Sequence, residues 1–245
     1  MKIINKEIEK KDGKNEIKES FVNPFENFKN QSLNTETIIK TIDIDINKAK
    51  FKVIDIAKKE IPEFEIDDNN KEIINQLFNY FIGNKEYCEL NNISLNKGIL
   101  LCGGVGTGKS KLFKIFKIFT AEILRKNYFR MFTSSELTDN VNINGVKVLE
   151  NLNHNFYENK PNPINCYIDD ICSKNEKIKH YGSEISVIEQ VINMRYNIFD
   201  TYKKLSHFST NIVPKNLIDF YDIRIIDRLN EMCNIFELNG LSRRK

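Results

Sequence analysis

The chain has 245 residues, a formal net charge of +3 and 29% charged side chains. That length buries one full core, or one core with a small appendage, and the near-balanced charge leaves any nucleic-acid contact to a local basic patch. The first residues, MKIINKEIEKKDGKNEIKES, hold charges where a secretory signal has its apolar stretch, and no apolar run approaches the ~18 residues of a membrane helix, so a cytoplasmic protein without membrane association is expected.

Five cysteines (Cys88, Cys102, Cys166, Cys172, Cys233) show no CxxC pairing and sit mostly in apolar runs, which predicts reduced, buried thiols. His154, His180 and His207 are far apart and lack ligand spacing, so no structural metal site is expected. Ile, Lys and Asn share A/T-rich codons, and their abundance here says little about function.

In chain order, residues 1 to about 35 carry no apolar periodicity and read as a flexible or partner-ordered tail. TIDIDI alternates like a strand, but Phe51, Ile54 and Ala57 recur at helical spacing before Pro62, favouring a helix. A second helix is expected with Ile73, Ile74, Leu77, Phe78 and Phe81 on one face and Gly83 as its stop. From Gly98 onward, apolar runs alternate with helical patterns: 98–102, helix 109–126, 128–133, helical 134–157, 164–168, helix 184–203, 205–210, helical 214–230 and 232–238. Helix 109–126 should bury Leu112, Phe116, Phe119 and Ile123, with Lys111, Lys114 and Lys117 on a solvated face. Strands alternating with helices predict an α/β fold with a five-stranded parallel sheet covered on both faces.

The stretch GILLCGGVGTGKSKLF carries the first chemistry. Gly103, four residues, then Gly108, Lys109 and Ser110 fit G-x-x-x-x-G-K-[ST], after a strand and opening a helix, which is the context this phosphate loop requires. The backbone from Gly103 through Gly104, Val105, Gly106, Thr107 and Gly108 can turn N–H groups toward phosphates; Lys109 reaches the β/γ oxygens and Ser110 can ligate Mg²⁺, with Lys111 following. About sixty residues on, YIDDIC places Asp169 and Asp170 at a strand end, where a parallel sheet presents its ligand chemistry. Asp169 suits the metal side, and Asp170 is placed to orient or deprotonate a water attacking the γ-phosphate. Together the two motifs indicate a nucleoside triphosphatase using ATP and Mg²⁺.

KKLSHFSTN ends in Thr210 and Asn211, polar groups able to reach a γ-phosphate, and YDIRIIDRLNEM puts Arg224 and Arg228 four apart on one helix face. On spacing alone, both could be ordinary turn and surface chemistry.

The ordered series of glycine-rich loop, YIDD, FSTN, RIIDRLNEM and GLSRR resembles the AAA+ ATPases of the DnaC/IstB type, bacterial helicase loaders and transposition ATPases, over roughly Asp67 to Lys245. The resemblance implies a P-loop NTPase core at 67–245, and sets residues 1–66 apart as an N-terminal tail and short helical extension that is a candidate partner-binding segment. No separate C-terminal lid is expected. It also implies that Asn211 is a sensor, Arg228 the arginine finger with Arg224 its neighbour, and Arg243 a second, nucleotide-facing sensor. Implied partners are single-stranded DNA, a replicative helicase or a transposase, and further copies of the chain in an ATP-dependent oligomer. Two departures stand out: the family usually has Asp-Glu where this chain has Asp169-Asp170, and residues 1–66 match no familiar helicase-binding module. A helicase loader leads; a transposition regulator, a small-molecule kinase and a nucleotide-switched binding module remain as alternatives.

Overall fold

The computed structural model describes residues 4–11, 14–21, 45–150, 154–157, 160–173, 176–180 and 183–244. Two compact units separate at residues 44 and 45. In the first, where the sequence reads as a flexible or partner-ordered tail, strands β1 (Ile4–Lys11) and β2 (Lys14–Phe21) pair antiparallel.

The second unit, Asp45–Lys245, begins with helix α1 (Ile46–Glu60), capped by Asp45, whose side chain accepts from the N–H groups of Asn47 and Lys48. Helix α2 (Lys71–Ile82) ends on Gly83 at φ +79, the left-handed stop its sequence predicts. After the short α3 (Lys85–Leu90) comes β3 (Gly98–Gly103), buried along its whole length. Helix α4 (Lys109–Ile118) continues as a π-helical turn over Phe119–Leu124. The wider turn shifts the phase of the buried face by one residue, so Leu124 enters the core where a regular helix would place Ile123.

Strand β4 (Phe129–Thr133) leads into α5 (Ser134–Asn144) through a capping box, Thr133 and Glu136 each serving the other's backbone N–H. The expected helix over 134–157 is shorter than its pattern. Gly145 ends it at φ +77, a 3₁₀ turn follows at Val146–Leu149, and β5 (His154–Tyr157) and β6 (Lys160–Pro163) pair as a hairpin. Next stand β7 (Asn165–Ile171) and a second hairpin, β8 (Lys177–His180) with β9 (Ser183–Ser186). Helix α6 (Val187–Tyr202), β10 (Ser206–Thr210), a 3₁₀ segment (Pro214–Asp219), α7 (Ile223–Met232) and β11 (Cys233–Leu238) complete the unit.

The five strands expected from the alternating pattern form one parallel sheet, ordered β11-β3-β10-β7-β4. Helices α1, α2 and α4 pack together, and α5, α6 and α7 form a second group. Phe81, Phe113 and Phe129 pack around His207, with Phe116 and Tyr167 stacked behind them, while Val141, Ile168, Val191, Phe208 and Leu229 fill the second core. All five cysteines are buried free thiols. No helix among the described residues is long and apolar enough to cross a membrane.

Strand β3 lies between β11 and β10, and β10 lies between β3 and β7. The loop after β3 therefore opens beside the carboxyl ends of β10 and β7, bringing residues a hundred positions apart in sequence into one cleft.

Candidate nucleotide site

The loop joining β3 to α4 is shaped by its glycines. Gly106 sits at φ +80, and a Cβ there would stand 2.2 Å from the Ser242 hydroxyl; Gly108 sits at φ +104 and starts α4. No side chain caps α4, so the first N–H groups of this helix remain for an anion, the electrostatics that phosphate loops use. Thr107 donates its hydroxyl to the Gly104 carbonyl at 2.9 Å, tightening the loop, while Val105 is exposed.

Lys109 is buried, and its ammonium donates to the carbonyls of Gly103 and Gly104, each at 2.9 Å, and to Asn211 Oδ1 at 2.7 Å. Burial pulls its pKa below the usual lysine range, and the charges of Asp170 and Asp169 oppose that fall. Asn211 also donates its amide to Asp170 Oδ1. The side chain singled out as a sensor thus bridges the loop lysine and the second carboxylate. Asp170 takes a left-handed backbone at φ +58 and is tied down by Ser134, whose hydroxyl donates to its carbonyl at 2.7 Å. Loss of water in the cleft, and then the charge of Asp169, raise the Asp170 pKa.

Ser110 donates its hydroxyl to Asp169 Oδ1 at 2.9 Å, so two hard oxygen ligands meet where α4 begins and β7 ends. This donor set fits Mg²⁺, which takes one or two protein oxygens and completes its octahedron from phosphates and water. Among the described residues, no cluster of three or more His, Cys, Asp or Glu could hold a metal alone.

These groups line a cleft of about 410 Å³ together with Gly106, Thr107, Gly108, Lys111 and Leu112. Its other wall comes from the segment between α1 and α2, through Ile61, Glu63, Phe64, Glu65 and the buried Asn70. Asn70 donates to the Glu65 carbonyl at 2.9 Å and shapes that segment. Arg243 and Arg244 close the third side. The Arg243 N–H donates to the Gly106 carbonyl at 2.9 Å, and its guanidinium grips both oxygens of Asp67 at 2.7 and 2.9 Å. Arg243 therefore braces the loop, while Arg244 lies within electrostatic range of Lys109 and Asp170.

Arg224 and Arg228 do not line the cleft. Arg224 is exposed and pairs with Asp222, the cap of its own helix, at 3.2 Å. Arg228 is half-buried, donates to Asn193 Oδ1 and stacks over the Tyr196 ring at 5.1 Å.

Sequence reasoning passed over several residues of the site. Tyr167 and Ser209 reach Asp169 from the core side, but in sequence they look like strand filler within NCYIDD and HFSTN. The wall from Ile61 to Asn70 carries no motif and is recognisable only once α1 and α2 are folded.

No family model matches the chain, and no curated protein matches its sequence. Among solved structures, it is similar to the DnaC helicase loader, at 13% identity over 73% of this chain and 95% of that one, with a TM-score of 0.45. It is similar also to DnaI, at 16% identity over 83% and 89% of the two chains, TM-score 0.43. AMPPCP-bound DnaA from Aquifex aeolicus gives 15% identity and a TM-score of 0.46 over 71% of this chain, which spans about half of that one (48%). The protein is an α/β P-loop protein whose five-stranded parallel sheet is flanked by helices. The solved structures it is similar to thus include a helicase loader and a replication initiator.

Proposed function

We propose that this chain binds and hydrolyses ATP with Mg²⁺ and, as an ATP-dependent homo-oligomer, loads or remodels a replicative helicase on single-stranded DNA. The observation that carries the ATPase reading is the convergence of Lys109, Ser110, Asp169, Asp170 and Asn211 on one cleft beside an uncapped helix start. The client and the DNA rest on the order of motifs in the sequence, which resembles the helicase-loader type.

In this reading, the triphosphate lies along the loop from Gly103 to Gly108, and Lys109 exchanges its loop carbonyls and Asn211 for β/γ oxygens. That exchange leaves Asn211 free to turn to the γ-phosphate, and Asp170 free to orient and deprotonate the attacking water. Ser110 and Asp169 would hold Mg²⁺, which when bound would supply positive charge against that developing on the phosphate oxygens. The shorter side chain of Asp170, compared with the Glu usual in the family, holds the base further from the water and favours slow turnover. Arg228, with Arg224 beside it, is assigned to the γ-phosphate of a neighbouring subunit, and Arg244 joins Arg243 as a cationic wall of the subunit's own cleft.

Lys109→Ala tests the site: ATP affinity and turnover should collapse while the variant remains folded, and unchanged affinity overturns the assignment. The client is tested by co-purification with a helicase hexamer against a transposase; capture of the transposase would establish the mobile-element reading instead. The candidate partner-binding segment 1–66 includes α1, which packs against α4 within the second unit. Deletion of residues 1–44 is therefore the cut that spares the ATPase unit and should abolish client capture.

A further inference from the structure

Asp169 is held by more than its neighbour on the phosphate loop. Its Oδ1 accepts from Ser110 Oγ at 2.9 Å, from the Tyr167 phenol at 2.5 Å and from Ser209 Oγ at 2.5 Å, and the Tyr167 and Ser209 oxygens are 2.9 Å apart. Tyr167 stands two residues before Asp169 on β7, so both side chains project from the same face of the strand. Its ring is fully buried and stacked on Phe113, centroids 4.1 Å apart at 24°. Phe113 lies one turn after Lys109 on α4, so the phenol is fixed by the same helix that carries the loop lysine.

Ser209, also buried, has a second bond. The pairing of β10 with β7 shifts register between Phe208 and Thr210, and at that interruption the Asp170 N–H donates to Ser209 Oγ at 3.0 Å. One hydroxyl thus serves the carboxylate of Asp169 and the backbone of Asp170. Among the described residues, all three hydroxyl donors to Asp169 converge on Oδ1, and none uses Oδ2.

We propose that Tyr167 and Ser209 are positioning residues for the metal-side carboxylate: their hydroxyls fix the orientation of Asp169 and turn Oδ2 to the metal when Ser110 leaves to ligate it. The inference rests on the Mg²⁺-ATPase reading above. An apolar residue at 167 would fill the core equally well, and a buried phenol without a partner is unfavourable, so the Tyr167–Asp169 bond has a purpose beyond packing. Groups that orient metal ligands in this way typically change metal affinity by about 10–100-fold when removed.

The test is metal binding, independent of turnover. Mn²⁺, a spin-active substitute for Mg²⁺, is titrated into the full chain saturated with ADP and followed by loss of the free-ion electron paramagnetic resonance signal. Metal-free ADP affinity is measured in parallel with a fluorescent ADP. Tyr167→Phe, which keeps the stacked ring, and Ser209→Ala should each weaken Mn²⁺ binding about tenfold or more, with metal-free ADP affinity within about twofold of the parent. On an Asp169→Asn background, Tyr167→Phe should have no further effect, because the group it positions is gone. Unchanged Mn²⁺ affinity, or an equal fall in metal-free ADP affinity, overturns the proposal. If Tyr167→Phe fails to fold, Ser209→Ala alone decides. A parent chain that binds ADP but takes up no Mn²⁺ would instead defeat the underlying ATPase reading, and the proposal with it.

Discussion

The two ends of the central sheet both hold polar side chains, but they use them differently. At the carboxyl ends of β3, β7 and β10, Lys109, Asp169, Asp170 and Asn211 satisfy one another in a cleft open to solvent. At the amino ends of β7 and β10, Arg195 is fully buried on α6. It donates through Nε to Ser206 Oγ at 2.8 Å, and through Nη2 to the carbonyls of Ile164 at 2.8 Å and Leu205 at 3.3 Å. His207, next along β10, is buried among aromatic rings. A network shut from water holds the fold; one open to solvent beside a helix start without a side-chain cap can exchange its partners for a ligand, even where some of them, as at Lys109, are loop carbonyls.

Arg228 breaks or sharpens this contrast most strongly. Its partners in the free chain, one amide and one ring face, are the replaceable kind. As a trans-acting arginine it should carry about 10³–10⁵ of the hydrolysis rate, roughly 4–7 kcal/mol of barrier. Arg228→Ala should nearly abolish turnover, spare ATP binding and leave the melting temperature close to the parent's. Mixing Arg228→Ala with Lys109→Ala protein should restore part of the activity, since an intact loop on one subunit meets an intact arginine on the next. A dead mixture, with parent activity per molecule flat on dilution, sinks the shared site.

Arg195 should behave in the opposite way. Arg195→Met keeps much of the volume but strips buried acceptors of their donor, a loss of about 3–5 kcal/mol in stability measured by denaturant unfolding. Where the variant remains folded, ATP affinity should match the parent's. A stable Arg195→Met with lost ATPase would mean that the amino end of the sheet takes part in function.

Much of this contrast is visible in the sequence at one end of the sheet and invisible at the other. GGVGTGKS and YIDD are contiguous, and each functional group is fixed by short-range geometry: a strand end, a turn, a helix start. The parallel sheet follows from the alternation of strands and helices for the same local reason. Arg195, in VINMRYNIF, looks like any helical arginine, because its role depends on carbonyls of the residues leading into two strands, which only the fold assembles. The helical pattern over 134–157 outruns the helix because apolar spacing continues past Gly145 while the backbone there takes a conformation that ends the helix. The π turn after Ile118 leaves no mark in composition, only a changed phase of burial. Arg243 shows the same limit: the sequence puts it near the loop, but only the fold shows its guanidinium engaged with Asp67.

The next effect is read through pH. Burial lowers the His207 pKa to about 3, with Arg195 adding repulsion, and among the described residues His207 Nδ1 has no hydrogen-bond partner. The unfolded chain therefore binds the extra proton first: this contribution to stability is whole above about pH 6.5 and declines as pH falls toward 3. Glu176 has the opposite sign. Burial raises its pKa to about 7 although Tyr221 donates to it at 2.7 Å, so its contribution is whole below about pH 4.5 and is lost as pH rises through 7. Between those limits the two groups oppose each other. His207→Phe removes one of them, and the stability difference between variant and parent should grow in the variant's favour by up to about 1.4 kcal/mol per pH unit below 6.5. A pH-independent difference would show that His207 does not titrate on unfolding.

The smallest expected effect concerns Asp67 and Arg243. Their ion pair is short, but both side chains are substantially exposed, 41% and 36%, and such pairs contribute little to folding because water already solvates each charge and both side chains lose freedom on pairing. Arg243 nonetheless donates its backbone N–H to Gly106, and Ser242 lies where any Cβ on Gly106 would have to go. The pair therefore anchors a segment that lies directly on the phosphate loop. Asp67→Asn removes the charge yet retains a hydrogen-bond acceptor, so the segment should loosen without detaching. Its melting temperature should match the parent's, while nucleotide affinity falls by about a few-fold. Calorimetric titration with ADP beside a thermal melt separates the two. If stability falls and affinity does not, the pair belongs with Arg195 among the groups that hold the fold, despite its place at the cleft.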